Sequence, residues 1–274
     1  MKPYYWEELT AADFETAVQD AKGVCLVPIG CMEKHGNQLP LGTDVFVARE
    51  LCRRAASEVP AIVFPFSPFG HVIEVQHKTG TVALRTETLV ALLEDLCTEL
   101  ARNGLPKIVF VNGHGGNNAV LNFLLRKSLE APKPYTLYLP KTSGLSPDEE
   151  KRFAAMLGRE AMPECGHACV WETSLIRAIR PELVHMDRVV PEETHRLDRL
   201  RKFKEAGVQT SIDWFADYPA QIAGDPTEAT PELGEWSLAH MARRLTNALR
   251  LIRDDETTPA LLEEYYRLSK SPER

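Results

Sequence analysis

VCLVPI at residues 24–29 runs into GCMEKHGNQLPLGTD at 30–44, and the reading of this stretch decides the fold. An unbroken apolar run closed by Gly30 has the length and composition of a strand buried on both faces. The pattern changes at Thr43. Thr43 and Asp44 suit a helix N-terminus, and Val45, Ala48, Leu51, Cys52 and Ala55 recur at helical spacing.

The alternation continues on either side. Residues 61–66 read as a second buried strand, 86–103 as a helix closed by Gly104-Leu-Pro, and 108–111 as a strand. GHGGNN at 113–118 leads into a helical segment at 119–130, and 135–139 is a further strand. Residues 143–153 are polar and lead into a helix. Residues 231–253 form a long amphipathic closing helix with Leu238, Met241, Ala242, Leu245, Leu249 and Ile252 on its apolar face. The last twenty residues, with Leu261, Leu262 and Tyr266, give no strong signal beyond a terminal helix. Short apolar runs between helical segments predict a largely parallel sheet covered by helices on both faces. In such sheets ligands sit beyond the carboxyl ends of the strands, where the loops 30–44 and 112–118 emerge.

The 274 residues are 44% hydrophobic and 26% charged, and no linker, low-complexity tract or repeat divides them, so one domain spanning 1–274 is expected. The net charge is −7 and the basic residues are scattered, which argues against nucleic acid as a partner. No apolar run approaches the ~18 residues of a membrane span. The start, MKPYYWEELT, lacks a basic segment followed by an apolar one, so a cytoplasmic protein with no membrane partner is expected. Six thinly spread cysteines predict reduced thiols rather than a disulfide framework. Cys165 and Cys169 flank His167, but no second such pair completes a structural zinc site.

The densest polar cluster follows the first strand. Side chains alternate in extended chain, so Glu33 and His35 face the same way, and the Gly and Pro residues between them and Asp44 let that carboxylate fold back. Two carboxylates and an imidazole make a catalytic metal set; the bland reading is a helix cap, an exposed Glu and a loop His. In Asn112-Gly-His114-Gly115-Gly116-Asn117, the spacing fits neither dinucleotide nor P-loop glycine patterns. A His among glycines is better read as a ligand or catalytic group that substrate approaches closely, past Gly115 and Gly116. In GHACVWETS at 166–174, His167 suits general acid–base work, while Glu172 reads as a ligand, a base or a first-turn helix carboxylate.

EKHGNQLPLGTD (33–44), VNGHGGN (111–117), GHACVWETS (166–174) with RPELVHMD (180–187), and GDPTEATPELGE (224–235) occur in an order that resembles the creatininase (creatinine amidohydrolase) family. FGHVIEVQHKTGTVAL (69–84) resembles that family's substrate-side loop. The resemblance implies a three-layer α/β/α sandwich with a mostly parallel central sheet and a two-metal centre of Zn, Mn or Fe, in a homo-oligomer such as a hexamer. It makes Glu33, His35, Asp44 and His114 metal ligands, with Asp44 bridging, and gives His167 and Glu172 the proton transfers. His77, in the substrate-side loop, falls near substrate, and Trp171 either stacks on a planar substrate or lies in the core.

The expected activity is metal-dependent hydrolysis of a non-peptide C–N bond (amide, lactam, formamide or amidine) in a small molecule. Two ions ~3.5–4 Å apart hold a hydroxide at neutral pH and polarise the carbonyl it attacks. The alternatives are a peptidase of a short modified peptide and a non-catalytic binding protein that retains the fold. Creatininase proper carries an acidic ligand where this chain has Gly116, so creatinine is not the expected substrate. Cys31 and Lys34 also depart from the first motif, and Cys31 as a nucleophilic thiol is a minor alternative.

Overall fold

The computed structural model describes residues 2–271. In chain order the regular elements are β1 (Tyr4–Tyr5), α1 (Ala11–Asp20), β2 (Val24–Ile29), α2 (Thr43–Glu58), β3 (Ile62–Val63), α3 (Thr86–Arg102), β4 (Lys107–Asn112), α4 (Asn117–Lys127), β5 (Thr136–Tyr138), α5 (Pro147–Met156) and α6 (Val170–Ile179). Short 3-10 turns and the single-turn helices α7 (Arg201–Glu205) and α8 (Asp213–Asp217) then lead to α9 (Pro231–Arg253) and α10 (Thr257–Ser269).

The five strands form one parallel sheet in the order β1-β3-β2-β4-β5. β2 and β4 run side by side from Val24↔Lys107 to Ile29↔Asn112 at its centre. Alternation along them feeds two separate cores. Val24, Leu26, Val109 and Val111 pack with α2, α6 and α9, whereas Cys25, Val27, Ile29, Ile108 and Phe110 pack with α1, α3 and α4. Each fully buried aliphatic side chain contributes about 1.5–3 kcal/mol, so a strand buried on both faces must be apolar throughout. The sheet, with one core and its helices on each face, makes the three layers of an α/β/α sandwich.

β3 is shorter than the apolar run 61–66 suggested. Phe64 and Ser67 still donate their N–H groups to Leu26 and Pro28, but Pro65 between them has no N–H to give, and the regular ladder stops at Val63. β1 pairs only two residues at the sheet edge, too few to leave a periodic signal. α4 begins at Asn117, two residues earlier than the apolar periodicity indicates, and closes in a 3-10 turn over Ser128–Glu130.

α9 begins where Thr230 accepts a hydrogen bond from the Leu233 N–H and Pro231 fixes the first turn. It lies so close to α6 that a Cβ at Gly234 would stand 1.9 Å from the Ser174 carbonyl oxygen. Among the described residues, no helix is long and apolar enough to cross a membrane.

Candidate metal centre and active site

The loop after β2, the first turn of α2, the loop after β4 and the start of α6 meet at the carboxyl end of the sheet. Glu33 and His35 come from the first, Asp44 from the second, His114 from the third and Glu172 from the fourth. His167 sits just before α6, where backbone hydrogen bonds in both directions with Ala223 pin it. Glu33, His35, Asp44 and His114 are buried, and the N-terminus of α2 favours the Asp44 charge.

The contacts are short. Asp44 Oδ1 is 3.0 Å from His35 Nε2, and Oδ2 is 3.0 Å from His114 Nδ1 and 3.2 Å from Cys31 Sγ. His114 Nδ1 is also 2.8 Å from Glu33 Oε1. Glu172 Oε2 lies 3.8 Å from His35 Nε2 and 3.8 Å from His167 Nδ1, and accepts the Ala168 N–H at 2.5 Å.

The rear nitrogen of each imidazole faces a backbone carbonyl. Nε2 of His114 donates to His71 O at 3.0 Å, Nε2 of His167 to Lys34 O at 2.9 Å, and Nδ1 of His35 to Glu33 O at 3.3 Å. Those bonds fix the tautomers and aim the other nitrogen of His35 and His114 at carboxylates, as a carbonyl behind the ring does for a metal-binding histidine.

Two features fit a cation. Glu33 Oε1 is buried with no aligned hydrogen-bond donor. Donor atoms of Cys31, Glu33, Asp44 and His114 lie within 4.8 Å of one another, as do those of His35, Asp44 and Glu172 and those of Glu33, His35 and His167. Carboxylate oxygens and imidazole nitrogens suit Zn, Mn or Fe.

Charge follows the same geometry. Burial opposes ionisation of Asp44, but His35 and His114 overcome it and hold the carboxyl well below the usual carboxylate range. Burial of Glu33 is likewise offset by His114 and His167, and its pKa is lowered. Burial disfavours the charged form of His35, yet Asp44, Glu172 and Glu33 push its pKa up to about 10. His114 is raised well above its ordinary value against burial, chiefly by Asp44. Without a cation these imidazoles hold protons between carboxylates, and a metal would take those protons' place.

Of the residues expected at substrate, Gly115 and Gly116 adjoin His114, and Trp171 is adjacent to Glu172. Trp171 stacks on Phe153, 5.3 Å between centroids, and together with Glu172, Cys165, Cys169, Met162 and Leu145 it lines a cavity of about 620 Å³. It is both a core aromatic and a wall beside the acidic group. His77 is outside the donor groups: its Nε2 donates to Pro219 O at 3.0 Å and its ring meets Phe215 edge-on. A larger cavity of about 1030 Å³ opens at the opposite end of the sheet, by Lys107 and Thr136 where β4 and β5 begin.

Three features escaped the sequence reading. Cys165 and Cys169 form a disulfide, which corrects the expectation of reduced thiols throughout; the bond closes the loop carrying His167 and Ala168, and Ala168 sits at φ 53°. Cysteine spacing alone could not show that this loop folds back on itself. Trp214, from α8, presents its ring edge-on to His167 at 5.7 Å and donates Nε1–H to Gln221. Nothing in the surrounding polar sequence marks it. Asn117 is wholly buried, accepting the His71 N–H and donating to Gly30 O and Asn112, so it ties together three site loops.

Imidazoles and carboxylates gathered beyond the carboxyl ends of a parallel sheet define a metal-dependent α/β hydrolase. The chain belongs to the creatininase family, whose model, described as creatinine amidohydrolase, matches residues 7–249. It is a metal-dependent amidohydrolase acting on C–N bonds. It is 30% identical to creatinine amidohydrolase of Pseudomonas putida over 200 residues, 69% of this chain and 76% of that one. It is also 30% identical to the mycofactocin precursor peptide peptidase of Mycolicibacterium smegmatis over 239 residues, 84% of this chain and 85% of that one. A solved structure described as creatininase Mn superposes with a TM-score of 0.75 at 25% identity, covering 93% of this chain and 100% of the other.

Proposed function

We propose that this chain hydrolyses a non-peptide C–N bond (amide, lactam, formamide or amidine) in a small molecule other than creatinine, using two divalent ions that share Asp44. The observation carrying this reading is that Asp44 belongs to two donor groups at once, with His114 and Glu33 on one side and His35 and Glu172 on the other. When bound, the ions would activate water and polarise the scissile carbonyl.

The remaining chemistry belongs to the chain. Glu172 aligns with the second ion's donors and not with proton transfer alone, because its Oε2 faces His35 Nε2 and is anchored by the Ala168 N–H. His167 is then the proton carrier. Its Nε2–H stays on Lys34 O, so Nδ1 accepts the proton of the attacking water and returns it to the departing nitrogen. Substrate enters from the Trp171 side, through a cavity of about 620 Å³ that is sized for a small molecule. Gly115 leaves open space beside His114, Gly116 makes room for the bond from His114 Nε2 to His71 O, and His77 ties the loop 69–84 to Pro219 O. One domain, a cytoplasmic location, a homo-oligomer such as a hexamer, and no nucleic-acid or membrane partner complete the reading, supported by family membership and the acidic, unpatterned charge.

Cleavage of a short modified peptide is the second reading, supported by the mycobacterial peptidase relative. The deciding experiment is elemental analysis followed by a screen of small amides, lactams, formamides and amidines against short peptides. About two equivalents of metal and turnover of a small molecule are expected. Turnover of peptides alone would move the assignment to the second reading, and bound metal without any turnover would leave a binding protein.

A further inference from the structure

We infer that Cys31 is a thiolate ligand of the ion held by Glu33, Asp44 and His114, and that it makes this position select zinc over manganese. The inference rests on the two-metal reading and adds a ligand to it.

Cys31 is the second residue beyond β2, wholly buried, with its thiol donating to Asp44 Oδ2 at 3.2 Å. Its sulfur is one of four donor atoms, one each from Cys31, Glu33, Asp44 and His114, that lie within 4.8 Å of one another. Four donors of the S, O, O and N types form the number and kind of set that zinc takes.

The loop after β4 offers no carboxylate to complete the group instead. Position 116 is glycine, and a Cβ there would come within 2.4 Å of His114 Nε2 and 2.5 Å of His71 O. Any side chain at 116 would therefore break the hydrogen bond that orients His114. Cys31 approaches from the other side, where no such conflict exists.

The bland alternative is a small buried hydrophobe, since Cys31 also packs against Val72 and Val75. The other free thiols show what that looks like. Cys25, Cys52 and Cys97 lie inside the two apolar cores, and none belongs to a donor group. A nucleophilic role fits less well, because Cys31 does not line the cavity beside Glu172. As a ligand it undergoes no redox change: the thiol proton passes to solvent and the sulfur lone pair goes to the cation. Carboxylate and imidazole alone accept several metals, whereas thiolate favours zinc strongly over manganese.

The test strips the protein with chelator, without reductant so that the Cys165–Cys169 disulfide stays closed, and reloads it with cobalt(II). The unmodified protein should show a near-ultraviolet thiolate-to-cobalt charge-transfer band, and Cys31→Ser should lose it. Zinc affinity at one of the two positions should fall on the order of 10–100-fold in Cys31→Ser, with manganese affinity far less changed. Two bound cobalt ions without a thiolate band in the unmodified protein would overturn the role of Cys31 while leaving the two-metal reading intact. No bound cobalt at all would overturn both. The spectrum of the unmodified protein decides the matter even if the variant does not fold.

Discussion

Asp44 and His35 meet at 3.0 Å between Oδ1 and Nε2, both buried, at a point where the loop after β2 and the first turn of α2 cross. The other Asp44 oxygen faces His114, so one carboxylate joins the histidines of two loops. Asp44→Ala should therefore reduce bound metal from about two equivalents to near none. In the metal-free protein it should also cost about 3–5 kcal/mol, because buried imidazolium groups lose their counter-ion. Elemental analysis and denaturant unfolding of chelator-treated protein test the two effects separately. Retention of one full equivalent would contradict the shared position.

The metal-free protein should show opposed pH dependences. His35 is raised to about 10, so its contribution to stability is full below its unfolded value of ~6.5 and is lost as pH climbs through about 10. Asp44 is lowered, so its contribution is present above its unfolded value of ~3.9 and fades as pH falls. Metal binding must displace the imidazole protons and should tighten with rising pH. Denaturant midpoints and metal competition measured across pH read both trends; metal affinity that weakens with alkalinity would refute the picture.

His167 and Glu172 should separate by readout. His167→Asn should lower kcat by about 10²–10⁴-fold with metal content unchanged. Glu172→Gln should lose one ion of the pair. If His167→Asn instead emptied a metal position, the assignment of His167 to proton transfer would be wrong.

The disulfide joins residues only four apart, so its effect on global stability should be small, about 2 kcal/mol or less. It nonetheless holds the turn in which Ala168 adopts a left-handed conformation and gives its N–H to Glu172. Cys165→Ser should reduce kcat/KM well before it lowers Tm appreciably. Equal activity with and without reductant would show that the loop keeps its shape unaided.

Gly234→Ala tests the packing of the outer layer. A methyl group 1.9 Å from the Ser174 carbonyl must push α9 off α6, at a cost of about 1–3 kcal/mol. Thermal unfolding measures it, and an unchanged Tm would mean that the two helices separate freely.

Much of this was legible in the sequence because it depends on local pattern. The apolar runs 24–29 and 108–111, the helical spacing after Thr43 and the amphipathic closing helix each follow from neighbours within a few residues, and the second of these strands gains one polar residue at each end in the structure. The same is true of Glu33, His35 and His114, which stand where a buried strand must end and a loop must begin. Chain order and motif therefore determined the strands from β2 onward, the helices α2, α3, α4 and α9 and the acidic and imidazole groups at the carboxyl edge, whereas β1 and α1 carried no reading in the sequence. Tertiary structure decided what crosses between segments: that Cys165 closes on Cys169, that Trp214 reaches His167, that Glu172 faces His35 as well as His167, and that Cys31 turns its sulfur to Asp44. The disulfide depends on a turn that Gly166 and His167 pin against Ala223, and the contacts of Trp214, Cys31 and His35 join residues from different elements, at distances set by how those elements pack, which no local periodicity encodes.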